Sequence, residues 1–269
     1  MSTNPTIASI FAAAAVDPDR LAAAESLPEP RSRYLIAMTP RSGSSWLCAA
    51  LKATRRFGRP DEALNAADIP NVLKWVPGAT PEAYLRNVTR AWSSRNRVSG
   101  LKVSWFQFRD FEAAMQDRSY LAGFRWIYLT RRDLAAQAVS LYKAVETSVW
   151  HTNVSHADAA LRKLEALEYR YEAIAEWYRH IVEQERGWQA YFFRRRIFPL
   201  CLSYEDVEYD LPGAVKRIAT FVGVKPDNVS LPAEPTVFRK VSDERNGEWA
   251  RRLLLDLQRD ADSRRQPAR

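Results

Sequence analysis

The feature that most constrains the fold is a short apolar run leading straight into a loop of small and polar residues. Residues 34–38 (YLIAM) are apolar, residues 39–45 read TPRSGSS, and an apolar stretch follows over 46–51. An apolar run of this length, bounded by turn residues, is typical of a buried strand, and the stretch after the loop predicts a helix. The first amides of a helix lack intrahelical partners and carry a positive potential, so a strand, loop and helix in this order predict an anion site.

The loop has its own chemistry for binding an anion. Gly43 allows close backbone approach, Ser42, Ser44 and Ser45 supply hydroxyl donors, and Arg41 supplies a fixed positive charge. The pattern is not a Walker A loop, because it has one glycine and lacks the lysine that reaches the β- and γ-phosphates. That absence argues against an ATPase or a kinase. The alternative at this point is an ordinary serine-rich turn that caps a helix.

Further along the chain, strand-like and helix-like segments alternate. Apolar runs over 98–106, 124–129 and 198–203 predict three more buried strands. Helical spacing over 134–149, 157–194 and 212–223 predicts helices, the second with a break at Gly187. This alternation predicts an α/β fold with a central, mainly parallel sheet flanked by helices.

Composition bounds the remaining possibilities. The chain of 269 residues is 46% hydrophobic, which is enough for a sizeable core, and its net charge of +8 predicts an anionic partner or a solvated basic surface. Cys48 and Cys201 form no disulfide framework and are expected to be buried thiols. The three histidines lack metal-ligand spacing, so no metal is expected.

Three regions are expected along the chain. Residues 1–30 form an Ala-rich extension that is flexible or loosely docked, 31–257 form the main domain, and 258–269 form a polar basic tail that frays. The N-terminus lacks the basic region of a signal peptide, and no apolar stretch reaches the length of a membrane span, so a cytoplasmic protein without an integral membrane segment is the default.

A second anion site is expected after the strand at 124–129. Arg131 follows that strand directly, where ligands bind in open α/β sheets, and Ser140 lies further along the next helix. Arg132 is an adjacent candidate that the sequence does not separate from Arg131. The alternative is that Arg132 and Asp133 only begin and cap that helix.

These motifs occur together in one family. The loop at 40–46 resembles the P-[KR]-[ST]-G-[ST]-[ST]-[WL] loop of sulfotransferases. Segments 100–105, 126–150, 185–192 and 243–249 resemble the bacterial trehalose 2-sulfotransferase-like (mycobacterial-type) family, over about residues 34–257. The resemblance implies a P-loop-like sulfotransferase fold and 3′-phosphoadenosine 5′-phosphosulfate (PAPS) as co-substrate. It also implies a carbohydrate or glycolipid acceptor and is compatible with a homodimer.

The resemblance also assigns roles to residues that bind the nucleotide. Arg41, Ser42, Gly43, Ser44, Ser45 and Trp46 wrap the 5′-phosphosulfate, while Arg131 and Ser140 hold the 3′-phosphate. Tyr204 lies near adenine. The late loop, with Arg245, Asn246 and Gly247, closes over the 3′-phosphate.

For catalysis, the resemblance makes Glu62, in the segment 58–62 (GRPDE), the general base, with Asp61 as the fallback. The alternative is that both acids only start a helix. Arg41 and Lys102 neutralise charge on the leaving group.

The acceptor side departs from the family pattern. Arg59 stands where the trehalose enzymes have an acidic residue, which predicts an acceptor other than trehalose, for example an anionic one. Trp105 and Trp150 are candidates to line the acceptor pocket, since aromatic faces suit sugars. Two other functions stay open: a kinase-like P-loop enzyme, and a non-catalytic nucleic-acid-binding protein that uses the positive charge.

Overall fold

Four parallel strands form the central sheet of the chain. A computed structural model describes residues 5–150, 158–232 and 244–265. The strands are β1 (Ser32–Met38), β2 (Val98–Ser104), β3 (Phe124–Thr130) and β4 (Leu200–Ser203), in the spatial order β2-β1-β3-β4. All pairings are parallel, which confirms the predicted α/β class.

The register brings the carboxyl ends of all four strands to one edge of the sheet. Met38 pairs with Ser104 of β2 and with Leu129 of β3, and Thr130 pairs with Ser203 of β4. The loops that follow β1, β2 and β3, together with the start of the helix after β4, therefore gather at this edge. We call it the carboxyl edge.

Twelve α-helices within the described residues surround the sheet. They are α1 (Ile7–Ala13), α2 (Pro18–Ser26), α3 (Ser44–Ala53), α4 (Ile69–Leu73), α5 (Pro81–Ala91), α6 (Trp105–Ala114), α7 (Leu134–Thr147), α8 (Asp158–Ala166), α9 (Tyr171–Arg195), α10 (Tyr204–Tyr209), α11 (Leu211–Val222) and α12 (Glu244–Arg265). None of them is long and apolar enough to cross a bilayer.

Alternating side chains of β1 divide the core into two layers. Leu35 and Ala37 pack with α1, α5, α6 and α9, whereas Tyr34, Ile36 and Met38 pack with α3 and α11. A third cluster joins α7, α9 and α12. Both faces of the sheet are thus covered, as a parallel sheet requires.

Helices lie near both ends of the described part of the chain. In the N-terminal region, Ile7, Ile10 and Phe11 of α1 are buried, and the Phe11 ring lies 5.4 Å from that of Tyr84. At the other end, α12 continues through the first part of the predicted polar tail to Arg265.

Several predicted boundaries were wrong. The strand expected over 98–106 ends at Ser104, because Ser104 and Gln107 form a reciprocal capping box that starts α6 at Trp105. The helix expected over 157–194 is divided into α8 and α9. The carbonyls of the intervening segment accept side-chain hydrogen bonds, for example at Glu168 from Tyr142. The helix predicted over 212–223 is confirmed as α11, with Gly223 in the left-handed conformation at its end.

Gly187 does not break a helix, because it lies well inside α9. A Cβ at this position would lie 2.2 Å from Nε1 of Trp105, so glycine lets the α9 backbone approach that ring. Cys201 also differs from expectation. It is exposed on β4, which is an edge strand of the sheet in the described part of the chain, whereas Cys48 is buried as expected.

Candidate active site

The loop after β1 has the geometry of an anion-binding loop. Arg41 has a φ of +66° and Gly43 a φ of +78°, and Gly43 is the N-cap of α3. Within the described residues no side chain caps this helix, so the amides of its first turn, at residues 44–46, keep their donor capacity. A Cβ on Gly43 would lie 2.5 Å from Cδ2 of Tyr204, which explains the glycine independently of its φ.

A buried glutamine on α7, which no sequence pattern predicted, holds this loop in place. Nε2 of Gln137 donates to Oγ1 of Thr39 and to the carbonyl of Pro40, both at 2.7 Å. On the other side of the strand end, Nε1 of Trp188 donates to the carbonyl of Met38 at 3.1 Å. The loop is therefore fixed to α7 and α9 as well as to its own strand.

Two arginines and a serine meet beside the loop. Nε of Arg41 donates to Oγ of Ser140 at 3.0 Å, and Nη1 of Arg131 donates to the Arg41 carbonyl at 3.4 Å. The Arg131 guanidinium also lies 4.9 Å from the centre of the Tyr204 ring. Burial, followed by repulsion from Arg131, lowers the pKa of Arg41. Two adjacent cations of this kind create a strongly electropositive site.

Unpartnered donors show that the site fits an oxyanion. Oγ of Ser42 and Nε of Arg131 are buried, and neither has a hydrogen-bond partner among the described residues. Neither Arg41 nor Arg131 forms an ion pair within that part of the chain. Buried donors that lack partners are costly, and a bound phosphate or sulfate oxygen would satisfy them.

The structure separates the two adjacent arginines after β3. Arg132 is exposed and pairs with Asp206 of α10, and its backbone N–H donates to the Glu205 carboxylate. Asp133 caps α7 by accepting from the Ala136 amide at 2.8 Å. Arg131 alone of the pair faces Arg41 and the loop.

A lysine links the predicted base to the loop. Nζ of Lys102 donates to Oγ of Ser45 at 2.9 Å and lies 3.1 Å from Oε1 of Glu62. Nε2 of Gln107 donates to the other oxygen of Glu62 at 3.0 Å. The Glu62 side chain remains 30% exposed, against 9% for Lys102. This carboxylate is therefore oriented by two donors and still accessible from the edge of the sheet.

Asp61 is engaged elsewhere and starts no helix. It forms an isolated parallel bridge with Leu101, and its carboxylate lies 2.8 Å from Nζ of Lys52 and 2.8 Å from Nε of Arg59. Burial alone would raise its pKa, but the hydrogen bonds from Lys52 and Arg59 outweigh burial and lower it. Arg59 in turn lies 5.0 Å from the centre of the Trp92 ring.

Tyr204 begins α10 beside the loop. Its hydroxyl donates to Glu208 at 2.9 Å, and burial, followed by this hydrogen bond, raises its pKa to about 12. Its ring lies between Gly43 and Arg131. Trp150 is 42% exposed, and its carbonyl accepts from Nη1 of Arg41.

Other predicted residues lie apart from this group. Trp105 packs against an aromatic cluster, with ring centres 5.2 Å from Trp188 and 6.1 Å from Tyr191. Arg245 donates to the carbonyl of Glu165 in α8 and to that of Leu167 just after this helix, so it is directed to α8 and not to the loop.

The two residues after Arg245 are also placed at the start of α12. Asn246 accepts from Lys143, three residues after Ser140 on α7, and Gly247 is exposed. This start of α12 therefore adjoins α7 one helical turn beyond Ser140.

Comparison with known proteins identifies the class. The family model described as Stf0 sulphotransferase matches residues 33–256, and the chain belongs to this family. It is therefore a sulfotransferase, as its sequence predicted, with the P-loop-like sulfotransferase fold.

Individual relatives agree with the family. The trehalose 2-sulfotransferase of Mycobacterium tuberculosis is 28% identical over 264 residues, which cover 84% of this chain and 96% of the relative. That of Mycolicibacterium smegmatis is 27% identical over 265 residues, with the same coverage. Among solved structures, a sulfotransferase from Alicyclobacillus acidocaldarius is 17% identical with a TM-score of 0.47, covering 85% of this chain and 94% of that one.

Proposed function

We propose that the chain transfers the sulfuryl group of PAPS to a carbohydrate hydroxyl, with Glu62 as the general base. The observation that carries the proposal is the cluster of donors at the carboxyl edge, in which Arg41, Arg131 and Ser140 meet beside the first amides of α3. Two buried atoms of this site, Oγ of Ser42 and Nε of Arg131, have no hydrogen-bond partner among the described residues. A nucleotide with anionic groups at both its 5′ and 3′ positions needs two neighbouring sites of this kind.

These donors form two sets, one for each anionic end of PAPS. The amides at 44–46 and the Ser42 hydroxyl would hold the 5′-phosphosulfate, and the Arg131 guanidinium and Ser140 would hold the 3′-phosphate. Arginine suits this second role, because its planar fork can form two parallel hydrogen bonds to a phosphate. Tyr204, packed against Gly43 and Arg131, offers an aromatic face to the adenine ring of the nucleotide.

When bound, PAPS supplies the sulfuryl group and the leaving adenosine 3′,5′-bisphosphate. In the transfer, a bond forms between the acceptor oxygen and sulfur while the bond from sulfur to the bridging phosphate oxygen breaks. Glu62 takes the proton of the acceptor hydroxyl. Arg41 and Lys102 stabilise the negative charge that develops on the leaving phosphate, which is the main contribution expected of a protein in this kind of reaction.

The contacts of Glu62 suit the role of a base. Lys102 and Gln107 each donate to one of its oxygens, so the carboxylate is held in one orientation without being buried. Through Lys102 it is also connected to Ser45, a residue of the phosphate loop. The base and the donor site are therefore positioned by one continuous set of hydrogen bonds.

The acceptor is proposed to be a sugar, because both of the relatives described above are named trehalose 2-sulfotransferase. Arg59 lies on the face of Trp92 and shares the Asp61 carboxylate with Lys52, so two cations and one carboxylate leave a net positive charge beside the 58–62 segment. An acceptor that carries a negative group is therefore favoured over trehalose itself.

The test is sulfuryl transfer from radiolabelled PAPS to a panel of neutral and anionic sugars that includes trehalose. Glu62→Gln should lower turnover by about 10²- to 10⁴-fold, the usual contribution of a general base. Its affinity for adenosine 3′,5′-bisphosphate should stay within about twofold. The matched control is Glu25→Gln on the exposed face of α2, which should behave like the parent. Unchanged turnover of Glu62→Gln would exclude this residue as the base, and a parent that transfers no label to any sugar would overturn the acceptor class.

A further inference from the structure

The end of α9 exposes two phenylalanines on either side of three arginines. Phe193 is 85% exposed and Phe198 is 90% exposed, and the intervening Arg194, Arg195 and Arg196 are exposed as well. Arg196 has a φ of +53° and is the C-cap of the helix, so Phe193 belongs to α9 while Phe198 lies beyond its end. We call residues 193–198 the basic aromatic corner.

A cavity of about 570 Å³ opens beside this corner. Phe124 and Trp126 of β3 and the exposed Phe198 are among the residues that line it. Four arginines line it and no acidic side chain does; the arginines are Arg118, Arg125, Arg195 and Arg196. A cavity of this size suits a small charged group with part of an apolar chain.

Acceptors of the protein near the cavity neutralise only part of this positive charge. Glu112 pairs with Arg195 at 3.1 Å and with Arg118 at 3.9 Å, and Nη1 of Arg125 donates to the Phe221 carbonyl at the end of α11. The Arg196 backbone N–H donates to carbonyls at the end of α9, but its side chain has no hydrogen bond or ion pair among the described residues. One carboxylate against four arginines leaves the cavity strongly cationic.

Stabilisation of a helix end does not account for the whole corner. Arginines in the last turn of α9 are favourable because they offset the negative end of the helix dipole. That explanation gives no reason for two large aromatic side chains to point into solvent at the same place. Exposed aromatic residues interleaved with arginines are instead typical of proteins that bind at the surface of an anionic bilayer.

We propose that the basic aromatic corner docks the protein on a membrane surface rich in anionic phospholipids. Phe193 and Phe198 enter the interfacial region, and the arginines of the corner and its cavity contact the phosphate groups. The partner is identified by charge complementarity: the cavity is cationic, and a phospholipid headgroup is an anion attached to an apolar body.

This surface is distinct from the candidate active site. The cavity includes Phe124 and Arg125 at the start of β3, whereas Arg131 follows the end of the same strand. Six residues of extended strand separate Arg125 from Arg131 by about 20 Å. A protein docked in this way keeps the carboxyl edge facing the aqueous side.

The experiment measures how much of the full chain sediments with two kinds of vesicle. One kind is a mixture of phosphatidylglycerol and phosphatidylcholine, and the other is phosphatidylcholine alone. We expect binding to the mixed vesicles only, weakened by added salt. Replacing both phenylalanines by alanine (Phe193→Ala with Phe198→Ala) should weaken binding at least about tenfold, since aromatic burial is lost. The control, Trp75→Ala, removes an aromatic ring that is 82% exposed elsewhere and should bind like the parent.

A second pair of variants isolates the charge. Arg194→Gln with Arg196→Asn should weaken binding by about 25-fold, at about fivefold for each arginine near an anionic surface. Asparagine is chosen because it tolerates the left-handed backbone of Arg196. The control is Arg56→Gln with Arg55→Asn, since Arg55 is also exposed with a φ of +57°.

Three outcomes would overturn the proposal: no binding to anionic vesicles, equal binding to neutral ones, or equal losses in the control variants. Light scattering adds a further test, because a phenylalanine variant that lowers the mass of the particle in solution would identify the corner as a contact between copies of the chain. Free glycerol phosphate that binds as tightly as vesicles would make the cavity a small-anion site instead. Binding of adenosine 3′,5′-bisphosphate to the same variants reports separately on the sulfotransferase function.

Discussion

Replacing Arg131 by alanine should weaken the binding of adenosine 3′,5′-bisphosphate far more than replacing its neighbour Arg132. Arg131 is part-buried, and its Nε is a buried donor without a partner in the described part of the chain. A hydrogen bond to a charged group contributes about 1.5–3 kcal/mol, so the loss of one such contact predicts about 10- to 150-fold weaker binding.

The matched control for this prediction lies one residue away. Arg132 is 64% exposed in its side chain and pairs with Asp206, away from the loop. Arg132→Ala should therefore change the affinity by less than about twofold at the same salt concentration, because exposed ion pairs contribute about 0–1 kcal/mol and this one contacts no ligand.

Titration calorimetry at fixed ionic strength measures both variants. Arg131→Lys adds a third point, since it keeps the charge but loses the planar fork, and it should fall between the parent and Arg131→Ala. Circular dichroism establishes that each variant is folded. Equal losses in Arg131→Ala and Arg132→Ala, or no loss in either, would refute the assignment of the 3′-phosphate to Arg131.

Three further predictions concern stability. Gly43→Ala should lower the free energy of unfolding by at least about 1–2 kcal/mol, because of the positive φ and the contact with Tyr204; an unchanged melting temperature would contradict this. Gly187→Ala should lower the free energy of unfolding by about 1–3 kcal/mol, because its Cβ would overlap the Trp105 ring. A urea midpoint equal to that of the parent would show that the ring can move aside at no cost. Folding lowers the pKa of Asp61 below its unfolded value of about 3.9. The contribution of Asp61 to the free energy of unfolding is therefore fully present above the unfolded pKa and is lost as the pH falls through the folded pKa. Asp61→Asn should therefore be less stable than the parent at pH 7 but close to it near pH 2, and an equal difference at both would exclude this linkage.

The features predicted correctly are those encoded locally. The strand, loop and helix around residues 34–51 follow from a run of apolar residues, a cluster of small ones and a second apolar run, all adjacent in the chain. Their order is enough to predict an anion site at the end of β1. The parallel sheet follows in the same way from alternation of strands and helices.

The features that were missed depend on contacts between distant parts of the chain. Gln137 is an ordinary helix residue by its sequence neighbours, yet its two acceptors lie 97 and 98 residues earlier. Gln107 contacts Glu62 from 45 residues away. No local pattern distinguishes such glutamines from solvent-exposed ones.

Glycine and arginine show the same limit. Gly187 was predicted to break a helix, but the constraint on it is the approach of Trp105 from another element, 82 positions earlier in the numbering. Arg131 and Arg132 are equivalent by sequence, and only the packing of α10 against the end of β3 assigns one to the loop and the other to Asp206.

The hydrogen bonds of Gln137 have a consequence for ligand selection. Gln137 and Ser140 lie three residues apart on one rigid helix, the first holding the loop backbone and the second contacting Arg41. The helix therefore holds the two proposed anion sites at a fixed distance from each other. With the anion sites as proposed, a ligand would be selected by whether its two charged ends span that distance, and a nucleotide with a single anionic end would occupy only one of them.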